Sequence, residues 1–266
     1  MSGLHAPDPD AGSDDRVELP AYRVARLVAP AVDRVFVAAM RASRDAGGVE
    51  LGRRYGGPAA VGFLIDLRTR LAAPGGVVDP ADFAAITRYQ DPADCARALD
   101  RQVAHGMIFR TADGQHAAGG FGATERGAAF LAELFDLHAQ VTERLWAGHE
   151  ARVVRLAGVA ARLVAAAGTD PGPAFAAVAP LHEPAGSPAG RLLLNRLGVL
   201  RYHRADAHAA AWAESGHTAQ SVAALPPGPE RTAIERDTDN RAAGPYAALT
   251  PDERLELLAD LAALPG

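Results

Sequence analysis

The chain has 266 residues, room for one large domain or two small ones, and its 48% apolar and 22% charged composition is that of a globular protein. A single cysteine, Cys95, excludes an internal disulfide and fits a reducing, cytoplasmic setting. All 27 basic residues are arginine and the formal net charge is −5, which excludes a chain that holds polyanions by bulk charge.

Residues 1–18, rich in Asp, Gly, Pro and Ser, lack the apolar segment of a signal peptide and are expected to form a disordered tail. The segment Leu19 to Ser43 carries Val24, Leu27, Val28, Val32, Val35, Phe36 and Met40 at helical spacing, with Pro30 able to kink or divide it. Asp45 to Gly48 reads as a stop. A second helix is predicted from Pro58 to Ala72, ended by Pro74-Gly75-Gly76.

Asp79-Pro80 places a capping residue before a proline at the first helical position, predicting a short helix to Tyr89. Asp91-Pro92 repeats the device, and that helix runs to His105-Gly106, with Cys95, Leu99 and Val103 expected to face the core. Met107 to Arg110 suits a short strand, Thr111 to Ala118 a turn, and Gly119 to Ala123 a weak return strand. Thr124 then caps a long helix from Glu125 to Gly148.

The rest reads as helical. Helices are predicted over Ala151 to Ala167, Pro173 to Val178, Ser187 to Gly216 and Glu230 to Arg241, with a last one opened by Thr250-Pro251. The most apolar stretch, Val153 to Ala167, contains Arg155 and Arg162, so no membrane-spanning helix is expected. The domain reading is residues 19–148, with the wing-bearing segment at 79–147, followed by a helical region at 149–266.

Short helix, turn, helix, two-stranded wing and long helix is the grammar of a winged helix-turn-helix. The run Leu99-Asp100-Arg101-Gln102-Val103-Ala104-His105-Gly106-Met107-Ile108-Phe109-Arg110, with Thr124-Glu125-Arg126-Gly127 after the wing, resembles the MarR family of winged-helix regulators. Leu249-Thr250-Pro251-Asp252-Glu253 is similar to the start of that family's C-terminal dimerisation helix. The resemblance implies a two-fold dimer, joined through Leu19 to Ser43 and Leu249 to Leu264, that binds double-stranded DNA under the control of a small-molecule effector. It implies that Arg97 and Arg101 point into the major groove, that Arg88 and Arg110 lie beside the backbone, and that Gln115 and His116 sit at the wing tip. The wing lacks the arginine that the family places there, and from Asp79 to Ala123 four arginines face six aspartates, so modest affinity is expected.

A second feature lies in the long helix after Pro188. Leu200-Arg201-Tyr202-His203-Arg204-Ala205-Asp206-Ala207-His208 resembles a signature of uncharacterised, mainly helical bacterial proteins, some described as winged-helix. Arg196, Tyr202, His203, Asp206 and His208 are candidates for an effector pocket; a buried hydrogen-bond network that fixes helix packing is the competing reading. Metal binding fits less well, because His203 and His208 lie about 140° apart around the helix. No cofactor-binding loop and no nucleophile elbow are present. Two functions remain open: a ligand-responsive DNA-binding regulator, or a helical small-molecule-binding protein or enzyme whose winged helix is structural. An apolar patch on the helix after Asp91 would mark a third, a protein-interaction module.

Overall fold

The computed structural model describes residues 19–111 and 119–266. The expected tail and the wing-tip candidates Gln115 and His116 lie outside the described residues. The chain is mainly helical, with one small antiparallel sheet.

Helix α1 (Ala21–Ser43) runs unbroken through Pro30 and buries Val24, Val28, Val32, Val35 and Ala39, while Leu27 is turned out to solvent. The predicted stop at Asp45 to Gly48 is instead a π-helical turn, Arg44–Gly48, in which Gly47 adopts φ 128°, open to glycine alone. It leads into α2 (Val49–Arg54), which the sequence did not announce. The single helix expected over Pro58 to Ala72 is two, α3 (Pro58–Asp66) and α4 (Arg68–Leu71), broken at Leu67.

Next come strand β1 (Val77–Val78), α5 (Pro80–Ile86) and α6 (Pro92–Ala104). Asp91 caps α6 by accepting from the amides of Ala93 at 2.9 Å and Asp94 at 3.0 Å. Asp79 occupies the same position before α5 but makes no capping bond. Strands β2 (Ile108–Arg110) and β3 (Phe121–Ala123) follow, and the sheet is three-stranded, in the order β1-β3-β2. Val77 pairs with Gly122 and Val78 with Phe121, a pairing too short to leave any alternation in the sequence. Thr124 caps α7 (Glu125–Leu145) through the Gly127 amide at 3.1 Å.

The remaining elements are α8 (Glu150–Ala167), α9 (Pro173–Val178), α10 (Ala189–Glu214), α11 (Ala219–Ala223), α12 (Pro229–Arg241), a 3-10 turn (Gly244–Ala248) and α13 (Pro251–Ala263). Among the described residues no helix is long and apolar enough to cross a membrane.

Two large apolar clusters hold the chain together. One joins α1, α8, α10 and α13; the other joins α3 to α7, the sheet and α9. Helix α10 serves both: Leu193, Leu194, Leu197 and Leu200 enter the first, and Val199 the second. Its N-terminal half is therefore buried nearly all round. Residues after 148 do not form a separate layer, because α9 and α10 complete the core of the elements before them. The apolar stripes of α1 and α13, expected at a dimer interface, pack against each other inside one chain. They leave exposed only scattered apolar side chains such as Leu27, Val37 and Leu255.

Candidate nucleic-acid interface

Helix α6 is held by few residues. Cys95, Leu99 and Gln102 face inward, and Val103, expected in the core, is 36% exposed. The helical period explains the exchange: seven residues return to within about 20° of the starting direction, whereas eight overshoot by about 80°. Ala93, Asp94, Arg97, Asp100, Arg101 and Ala104 all lie in solvent, and none of the helices after β3 covers them.

The charges on this open face are balanced. The guanidinium of Arg97 bonds Asp94 one turn back, and Arg110 reaches Asp100 at 2.8 Å. These pairs are exposed, and an exposed pair contributes about 0–1 kcal/mol, so phosphate can displace either carboxylate. Arg101 makes no ion pair among the described residues and is the free cation of the face.

Arg88 departs from its expected place at the DNA backbone. It is turned inward, with its side chain 14% exposed. It donates to the Asp206 carboxylate at 2.5 Å and to the carbonyls of Ala85 at 2.6 Å and Ala205 at 3.3 Å. Leaving these partners would strand a buried carboxylate, so Arg88 is not available to phosphate.

The five candidates on α10 do not converge on one pocket. Asp206 is consumed: besides Arg88, it accepts from the Ala174 amide at 3.1 Å and the Phe175 amide at 2.8 Å, closing the start of α9. Arg196 makes a two-pronged contact to Glu183, at 2.8 and 2.6 Å, and donates to the Ala157 carbonyl at 2.7 Å, tying the loop before α10 to α8. Tyr202 faces a small polar crevice beside Arg68, and burial pushes its hydroxyl up to about 12.

His203 and His208 do share a cleft, of about 290 Å³ between α1, α10 and α12. Burial lowers the pKa of both rings. His208 is in hydrogen-bond contact with the Tyr89 hydroxyl at 3.1 Å, which in turn accepts from Trp212 at 3.1 Å. Around them the charges are matched: Arg201 with Asp33 at 2.6 Å and Arg204 with Asp239 at 2.9 Å. Three of the five residues, Arg196, Asp206 and His208, thus join helices to one another or to loops, as a packing network does. Among the described residues no group of three or more His, Cys, Asp or Glu could hold a metal ion.

Tyr89 and Glu183 were not singled out in the sequence; no spacing links either to α10. Comparison of the chain with known protein families, curated proteins and solved structures finds no match.

Proposed function

We propose that residues 58–145 form a winged helix-turn-helix and that the protein is a DNA-binding regulator of modest affinity, with α6 as the groove-reading helix. One observation carries this reading. Helix α6 buries only Cys95, Leu99 and Gln102 and leaves the side carrying Arg97 and Arg101 in solvent, at the position where a winged helix meets the major groove. The helix, strand, helix, helix and paired-strand order, with β1 closing the sheet against β3, supports the assignment. The cationic set is Arg97, Arg101 and Arg110; Arg88 belongs to the core. Binding as a two-fold pair on a near-palindromic site is part of the proposal.

The experiment is fluorescence anisotropy with duplex DNA from upstream of the protein's own gene, across salt. Three phosphate contacts per protomer, six in the two-fold pair, give a slope of log K against log salt of about −5.4. Arg101→Ala, which removes one contact from each protomer, is expected to reduce the magnitude of that slope by about 1.8. No binding at low salt overturns the proposal.

The burial of Arg88 favours a second reading, a small-molecule-binding helical protein whose winged helix only supports packing. It is the one left standing if the DNA experiment fails.

A further inference from the structure

The C-terminal end of α1, the π-helical turn, α2, α3 and α7 enclose a cleft of about 640 Å³, within the size range of small-molecule sites. Its walls are aliphatic: Met40, Val61, Ile65, Leu134 and Leu137. Phe130 is the one carbocyclic ring in the lining, and it is already engaged in an edge-to-face contact with Tyr55, at 5.3 Å between centroids. Little is left for stacking a flat aromatic guest.

The polar groups are divided between floor and mouth. His138 on α7 is part of the lining and has no exposed surface, and neither ring nitrogen has a hydrogen-bond partner. Burial pushes its pKa down to about 3, so it carries no charge at neutral pH. Arg44 and Arg53 contribute the exposed cations. Arg53 is paired with Glu50 across one turn, whereas Arg44 has no carboxylate partner among the described residues. The cleft therefore offers an apolar interior and one uncompensated positive charge.

We infer that this cleft binds a medium-chain aliphatic carboxylate, with its chain among Val61, Ile65, Leu134 and Leu137 and its carboxylate on the Arg44 guanidinium. The binding itself does not depend on the DNA-binding reading. A link to it is built in, because α3 separates the cleft from α6: a Cβ placed on Gly62, itself in the lining, would lie 3.9 Å from the Gln102 side chain.

The test is calorimetric titration of the full chain at pH 7.5 with decanoate, kept below its micellar concentration, and with 1-decanol as the uncharged control. Expected are saturable one-to-one binding of decanoate and binding of decanol about tenfold weaker, the loss of one charge-assisted contact. Arg44→Ala should bring decanoate down to the level of decanol. Ile65→Trp, which fills the cleft, should abolish both. In the unsubstituted protein, decanoate should shift the ring resonances of His138, a readout that requires no variant to fold. No saturable binding, decanol binding as tightly as decanoate, or an unmoved His138 signal on saturation would each overturn the inference and leave the DNA experiment unaffected.

Discussion

The Arg88 guanidinium and the Asp206 carboxylate, 118 residues apart in sequence, meet at 2.5 Å, and the same carboxylate receives two amides from the start of α9. One side chain thus joins the segment after α5, α9 and α10. The neighbouring glycine fits this arrangement: a Cβ on Gly172 would lie 2.5 Å from Asp206.

Removing Asp206 leaves a buried guanidinium without its counter-charge and two amides without their acceptor. Asp206→Ala is expected to lower the unfolding free energy by about 3–5 kcal/mol, read by urea denaturation. The double variant Arg88→Met with Asp206→Ala should cost less than the sum of the single changes by at least about 1 kcal/mol. Strict additivity would show that the pair is not coupled.

The two arginine roles separate in one experiment. Arg88→Gln should destabilise the fold and leave the salt slope of DNA binding unchanged. Arg101→Ala should do the reverse, changing stability by less than about 0.5 kcal/mol while reducing the slope. A slope that responds to Arg88 but not to Arg101 would place the contact surface elsewhere.

Stability should fall with acid because of His138. Its pKa is about 3 in the fold and 6.5 as the ordinary value, so between these pH values the unfolded chain takes up a proton that the folded chain refuses. The contribution is complete above pH 6.5 and is lost as pH falls, with a limiting slope of about 1.4 kcal/mol per pH unit for one such group. His203 and His208, both lowered by burial, act in the same direction. Urea midpoints at pH 7.5 and 5.0 should differ clearly in the parent protein and less in His138→Leu.

Two glycine substitutions should have opposite signs. A Cβ on Gly127 would lie 2.1 Å from the Met107 carbonyl, so Gly127→Ala must push α7 away from β2, at a cost of about 1–3 kcal/mol. Gly158, inside α8, has nothing within 4 Å of its Cβ position, and Gly158→Ala should stabilise by about 0.5–1 kcal/mol. Thermal melts of the two variants decide it.

The close approach at Gly127 also gives a physical reason for the glycine in Thr124-Glu125-Arg126-Gly127, which the sequence could offer only as a likeness. The helices that came through from sequence are those with local punctuation. Asp91-Pro92, Thr124 and Thr250 each open a helix where expected, and Gly106 and Gly216 sit in the left-handed region just past helix ends. What escaped was short or discontinuous: α2, α4 and β1 span six, four and two residues, too few to show a period. For the candidate site, the exposure of Arg97 and Arg101 was legible from their place on an amphipathic helix. The inward turn of Arg88 was not, because its partner lies on a distant helix.

Composition, caps and helical period, all local properties, were enough to specify a mainly helical chain and, Val103 apart, the face that α6 leaves bare. Which polar side chains meet was decided only by tertiary packing. A carboxylate on α10 can equally cap a neighbouring helix, pair with an arginine or line a pocket, and its choice depends on what the fold brings within 3 Å. The same holds for the cleft at His138: its walls come from five separate elements, and no stretch of the sequence contains it.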